Sequence, residues 1–289
     1  MNSNPSSSHV APALLVVGLG KMGGNMARRL ASRGATVHGH DRDEAARTAL
    51  AEACREHPVT VHERMADAVA ALAAPRMIWL MLPAGAATRQ TLEALLPMLD
   101  AGDIVIDGGN ANYLDSQARG QSLAAQGIEF IDCGVSGGVW GLQNGYCLMY
   151  GASPAAAAVV APVMRLLAVS ETDGWLHCGP VGSGHFVKMI HNGIEYGMMQ
   201  SLAEGFALMA GKPEFNLGLG SIGELWRHGS VVRSWLLDLT ARALQDPEAI
   251  DRVAPVVADS GEGRWTVEES MRQGFGGHAV TNAPAPVRE

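Results

Sequence analysis

The chain has 289 residues, 47% hydrophobic and 17% charged, the balance of a globular protein rather than a disordered one. That length allows one large core but commonly divides into two units. Lys and Arg total 21 against 29 Asp and Glu, and the formal net charge of −8 excludes the basic footprint that a nucleic-acid binder needs.

Cys54, Cys133, Cys147 and Cys178 show no CxxC or CxxH spacing. Neither a metal site nor a disulfide framework is expected, and reduced thiols fit a cytoplasmic protein. No apolar run approaches the roughly 20 residues of a membrane-spanning helix, so no membrane partner is expected. Met1 to Pro12 is rich in Ser, Asn and Pro without a basic patch leading into an apolar stretch, and reads as a disordered tail rather than a signal peptide.

From Ala13 short apolar runs alternate with longer stretches of helical spacing. Leu14–Leu19, Thr36–His40, Met77–Leu82, Ile104–Asp107 and Ile128–Asp132 read as strands. Strands separated by helices imply parallel pairing, and Met77–Leu82 has the unbroken apolar character of a buried parallel strand. The alanines Ala155–Ala158 fall in a plain helix. Near Gly179-Pro180 the alternation stops, and helical patterns cover Ser183–Gly211, Leu217–Trp226 and Val231–Leu244.

The first strand runs into Gly18-Leu19-Gly20-Lys21-Met22-Gly23, a G-x-G-x-x-G that opens a helix. Gly18 suits the tight turn, Gly20 lets a pyrophosphate approach the backbone, and Gly23 suits close helix–strand packing, with the anion at the helix N-terminus. Asp41 ends the second strand 18 positions after Gly23, where a carboxylate receives the ribose hydroxyls of NAD. It repels the 2′-phosphate of NADP; the neighbouring Arg42 either pairs with that phosphate, stacks on adenine or is a solvated charge. NAD is the expected cofactor and NADP the alternative. Leu82-Pro83-Ala84-Gly85 closes the third strand and is expected to line the cofactor. The fold class expected is therefore α/β: a Rossmann-type dinucleotide-binding domain over 13–180, then an all-α domain over 181–289 with an irregular tail from about 270.

Three further segments concentrate polar groups. Asn110, after Asp107-Gly108-Gly109, either caps the next helix or bonds a carboxamide or substrate hydroxyl. Ser136-Gly137-Gly138 either forms a flexible turn or exposes N–H groups to a carboxylate. In the long helix Lys188, His191, Asn192 and Glu195 share an arc of about 100°, an amine, imidazole, amide and carboxylate on one face. Buried without ligand, such a set costs several kcal/mol of desolvation, so a lined cleft is the better account.

With these segments in view, the chain resembles the decarboxylating 6-phosphogluconate dehydrogenases in their short form, from about Leu14 to about Glu269. The resemblance rests on GLGKMGGN, IDGGN, GVSGGVWGLQNGYCLMYG, GHFVKMIHNGIEYGMMQSLAEGF, GSVVRSWLLD and GEGRWT. The wider 3-hydroxyisobutyrate-type dehydrogenases share the glycine loop, the SGG turn and a Lys with Asn four residues on, but not the His-Asn-Gly-Ile-Glu-Tyr continuation. The resemblance implies a sugar-phosphate substrate, with Lys188 as base and Glu195 as acid. It implies Ser136, Gly137, Gly138, His191 and Asn192 at the carboxylate and hydroxyl end, and Asn110 between cofactor and substrate. Tyr196, Arg264 and Thr266 are implied at the phosphate.

One departure bears on the phosphate. Short-form relatives continue after Val267-Glu268-Glu269 into a helix bearing a phosphate-binding Arg, whereas here Ser270 to His278 lacks a convincing helix and a match for that arginine, with Arg288 as the remaining substitute. A dehydrogenase of smaller 3-hydroxy acids that does not decarboxylate, or a nucleotide-binding relative without turnover, therefore stays open. The apolar helices after 183 and the family both point to a homodimer or homotetramer.

Overall fold

The computed structural model describes residues 11–246, 254 and 260–276. Contacts divide the chain into two units, Met1–Lys188 and Met189–Glu289.

The first unit is built on β1 (Ala13–Val17), β2 (Thr36–His40), β3 (Val59–His62), β4 (Met77–Leu80), β5 (Ile104–Asp107), β6 (Glu129–Ser136), β7 (Cys147–Gly151) and β8 (Trp175–Gly179). They form one sheet in the order β3-β2-β1-β4-β5-β6-β7-β8. The first six strands are parallel, and the order reverses between β1 and β4, where open α/β sheets bind their ligands. Between the strands lie α1 (Lys21–Ser32), α2 (Glu44–Ala53), α3 (Met65–Ala70), α4 (Ala86–Leu95), α5 (Tyr113–Ala124), α6 (Gly141–Asn144) and α7 (Pro154–Leu167). Alternate residues of β1 serve opposite cores: Leu14 and Val16 pack in one cluster, Leu15 and Val17 in the other. Two covered faces explain why the central strands are apolar throughout.

Several sequence expectations need correction. β1 stops at Val17 because Gly18 turns out of the strand at φ +91, and β4 stops at Leu80 rather than Leu82. β6 continues past Asp132 to Ser136 because β7 returns alongside it, antiparallel, down to the pair Ser136–Cys147. β8 is parallel to β7, so the sheet is not parallel throughout. β3, β7 and β8 were not expected. Val231–Leu244 is helical only from Trp235, where the Ser234 hydroxyl accepts the Leu237 N–H at 3.1 Å and caps the turn.

α8 (Ser183–Ala210) begins in the first unit and runs into the second. The second unit continues with α9 (Leu219–Trp226), α10 (Trp235–Leu244) and α11 (Glu262–Arg272). Gly223 brings α9 against Ala241 of α10, and Phe206 meets Trp226 at 5.5 Å between ring centroids. α11 reaches Arg272, so helix covers the start of the expected irregular tail. The expected disordered segment lies outside the described residues up to residue 10, as does Arg288; Ala11 and Pro12 have no regular structure.

Candidate active site

The glycine loop shows why each glycine stands where it does. A Cβ on Gly18 would meet the Met81 carbonyl, and one on Gly23 would meet the Gly18 carbonyl, so strand and helix close on each other. Nothing lies within 4 Å of where a Gly20 Cβ would stand, and Gly20 is exposed. α1 starts there with no side-chain cap and no acidic residue in its first turn. Its leading N–H groups and the positive end of its dipole therefore face an open surface, a fit for a dinucleotide pyrophosphate. Leu19 and Gly23 are buried around this turn, Met22 is half-buried and Lys21 exposed.

Asp41 follows β2 and is tied to the same loop: its Oδ2 accepts the Leu19 N–H at 2.6 Å and its Oδ1 the Asp43 N–H at 2.9 Å. Arg47 of α2 donates to the carbonyls of Asp41 at 2.8 Å and Arg42 at 3.1 Å, while the Arg42 side chain is exposed. Leu82, Pro83 and Ala84 form the turn after β4, held by the buried Thr88 hydroxyl donating to the Pro83 carbonyl at 2.9 Å. Gly109 needs to be glycine because a Cβ there would stand 2.6 Å from the Leu82 carbonyl.

Asn110 is exposed beyond this turn, and the cap of α5 is Asn112, whose side chain accepts the Leu114 N–H at 3.0 Å. The helix-capping alternative thus belongs to Asn112. Ser136 is the last paired residue of β6, and Gly137 and Gly138 follow at φ +124 and +53, backbone that favours glycine. Arg29 of α1 is buried and donates to the Leu142, Leu167 and Ala168 carbonyls at 3.2, 2.9 and 2.5 Å, so the nucleotide-side helix grips the segment that follows the SGG turn. Burial is the main cause that pulls the Arg29 guanidinium below its ordinary value.

Lys188 lies on α8, is 7% exposed, and its Cβ packs directly against Gly134 of β6. An ordinary side chain on β6 at that point would occupy the place of the Lys188 stem. In the second unit His191 and Glu195 stand one turn apart, Nδ1 to Oε2 at 3.8 Å, and His191 Nδ1 is 3.1 Å from Asn192 Oδ1. Asn192 is buried. Tyr196 lies beside Gly263, and Gly193 leaves room for Thr266. The Thr266 hydroxyl is within bonding distance of the Met189 carbonyl (2.9 Å) and the Glu262 carbonyl (2.8 Å), and Arg264 is exposed with Glu268 at 3.7 Å.

Sequence reasoning missed Asp132, which is fully buried in β6 between Ile131 and Cys133. A carboxylate flanked by apolar neighbours in a strand was the available signal, since an Asp almost never goes inside unpaired.

This fold and this loop define a dinucleotide-binding protein. Residues 13–177 match the NAD binding domain of 6-phosphogluconate dehydrogenase, and residues 184–285 match the 6-phosphogluconate dehydrogenase C-terminal domain. An NAD(+)-dependent, decarboxylating 6-phosphogluconate dehydrogenase of Haloferax volcanii is 40% identical over 259 residues, 89% of this chain and 84% of that protein. A decarboxylating 6-phosphogluconate dehydrogenase of Lactococcus lactis is 37% identical over 90% of this chain and 57% of its own. The solved 6-phosphogluconate dehydrogenase of Plasmodium falciparum superposes with a TM-score of 0.87 at 27% identity, over 94% of this chain and 60% of its own. The chain belongs to the 6-phosphogluconate dehydrogenase family.

Proposed function

We propose that the chain oxidises 6-phospho-D-gluconate to ribulose 5-phosphate and CO2, with NAD reduced in preference to NADP. The observation that carries this reading is the buried Lys188 on α8, set against Gly134 of β6, the strand that ends at Ser136 just before Gly137 and Gly138. The cofactor is held by Gly18 to Gly23, Asp41, Arg42, Leu82 to Ala84 and Asn110; when bound, NAD supplies the acceptor for the hydride that leaves C3 of the substrate.

Lys188 takes the proton of the C3 hydroxyl. For that it must be uncharged with substrate bound, although an ordinary Lys titrates near 10.4. Oxidation at C3 leaves a β-keto acid, which loses CO2 from C1. Glu195 then protonates the enediol at the carbon that was C2 of the substrate and becomes C1 of ribulose 5-phosphate. Ser136, Gly137, Gly138, His191 and Asn192 hold the carboxylate and hydroxyl end, with Asn110 between them and the cofactor. Tyr196, Arg264 and Thr266 hold the phosphate, for which a cation and hydroxyls are suited. A homodimer or homotetramer is part of the proposal, supported by Ile194, Met198, Met199 and Leu208 exposed along α8.

The test is purified protein with 6-phosphogluconate and NAD, following NADH absorbance and CO2 release together. NADH without CO2 overturns decarboxylation. Binding of NAD with no turnover on any substrate overturns the enzymatic reading. A second reading, oxidation of a smaller unphosphorylated 3-hydroxy acid, is favoured by Thr266 already lying against two carbonyls and Arg264 against Glu268. A substrate panel of phosphorylated and unphosphorylated acids separates the two.

A further inference from the structure

α8 opens after Gly182, and its leading N–H groups need partners from outside the helix. One of them and the N–H just before the helix are taken by one side chain of β6: Asp132 Oδ1 accepts the Gly182 N–H at 2.6 Å and Oδ2 the His185 N–H at 2.7 Å. Asp132 is 0% exposed and His185 only 2%. His185 is fixed in turn from α5, with Nδ1 at 2.7 Å from the Ser116 hydroxyl. Between the two bonded amides sits Gly184, where a Cβ would stand 2.5 Å from the Asp132 carbonyl and 2.6 Å from that of Met149. The opening turn of α8 is therefore seated on the sheet with no slack for rotation or sliding.

Residues two apart on a strand share a face, so Asp132 and Gly134 meet α8 together. Asp132 bonds the turn that ends in His185, and Gly134 receives the Lys188 stem three residues later. The carboxyl also lies at the positive end of a 28-residue helix, which favours both bonds, while its burial pushes its pKa up. We propose that Asp132 is the positioning residue for Lys188: its two hydrogen bonds fix the opening of α8, and thereby where the amine meets the substrate hydroxyl. This rests on the reading of Lys188 as the base.

The experiment compares the full chain with Asp132→Ala and Asp132→Asn. It measures kcat and KM for 6-phosphogluconate, NAD affinity by calorimetry, and amide hydrogen exchange over residues 182–188. The alanine variant is expected to lose about a hundredfold in kcat, the scale of an about 1 Å misplacement, while NAD affinity holds within about twofold. Asn keeps one acceptor oxygen and is expected to recover part of the rate, and it carries the kinetic test if the alanine variant does not fold. Exchange at 182–188 is expected to accelerate in both variants. A kcat within about threefold of the parent chain, or a fall in NAD affinity matching the fall in rate, overturns the proposal in favour of a merely structural cap. If the unaltered chain does not turn over 6-phosphogluconate, the functional reading fails instead. Exchange still decides the clamp in that case, and unchanged protection at 182–188 in Asp132→Ala overturns it.

Discussion

The carboxylate of Asp41 accepts the backbone N–H of Leu19 at 2.6 Å, joining the end of β2 to the middle of the glycine loop. On the proposed function, one group both shapes the glycine loop and sets the charge beside the ribose. The two effects separate by substitution. Asp41→Asn keeps an acceptor for Leu19 but removes the charge, and is expected to raise the NADP-to-NAD ratio of kcat/KM by about tenfold, roughly 1.4 kcal/mol of relieved repulsion. Asp41→Ala also releases the loop and weakens both cofactors. Steady-state kinetics with each cofactor checks this, and an unchanged ratio in Asp41→Asn refutes the charge argument.

Replacing Lys188 by Met keeps the stem against Gly134 and deletes only the amine. Turnover is expected to fall by about 10³-fold, within the range for loss of a general base, with NAD affinity unchanged by calorimetry. Gly134→Ala approaches the same site from the sheet: its new Cβ collides with the Lys188 stem and should also depress kcat, with the Lys188 side chain intact. Full activity in both variants would remove Lys188 from the chemistry.

Glu195→Gln retains size and hydrogen bonding but cannot supply a proton. Formation of ribulose 5-phosphate is expected to slow about a hundredfold while NAD affinity is spared. Comparing NADH, CO2 and pentose phosphate in single turnovers locates the slowed step. An NAD affinity that falls as far as the rate would show that Glu195 serves binding instead.

Acid stability is expected to depend on Asp103, which is buried just before β5. Burial alone would raise its carboxyl. The N–H groups of Asp100 at 2.9 Å and Arg76 at 2.6 Å, with the Arg76 guanidinium at 2.8 Å, outweigh that and hold it below the ordinary value. A depressed carboxyl contributes stability above its unfolded value of 3.8 that is lost as pH falls through the folded value. Asp103→Asn should thus lower Tm by about 3–6 °C at neutral pH, with the gap closing below about pH 4. A gap that persists in acid would show that packing, not the charge, is lost.

The central strands were legible because burial on both faces leaves a continuous apolar run, and β2 and β5 fall at their expected limits. β3 was not, since an edge strand reading Val-Thr-Val-His is half-exposed and barely exceeds the noise of a loop. β7 and β8 escaped for another reason: nothing in a run such as Cys-Leu-Met-Tyr-Gly reports direction, and its antiparallel pairing depends on a return turn whose glycines also suit a ligand loop. Of the candidate site, the glycine loop and the Lys188 helix were readable from spacing. The tie of Asp41 to Leu19 and the docking of α8 by Asp132 depend on contacts 22 and 50 residues apart, which local pattern cannot express.

Since β7 doubles back on β6, the Ser136–Gly138 segment is the near limb of a hairpin rather than the start of a crossover. Its tip displays Val139 and Trp140 to solvent, and α6, which leads on to β7, is stapled by Arg29 through the Leu142 carbonyl. Exchanges at 139 and 140 are therefore expected to leave the pairing register of β6 and β7 unchanged, because neither residue belongs to a paired strand.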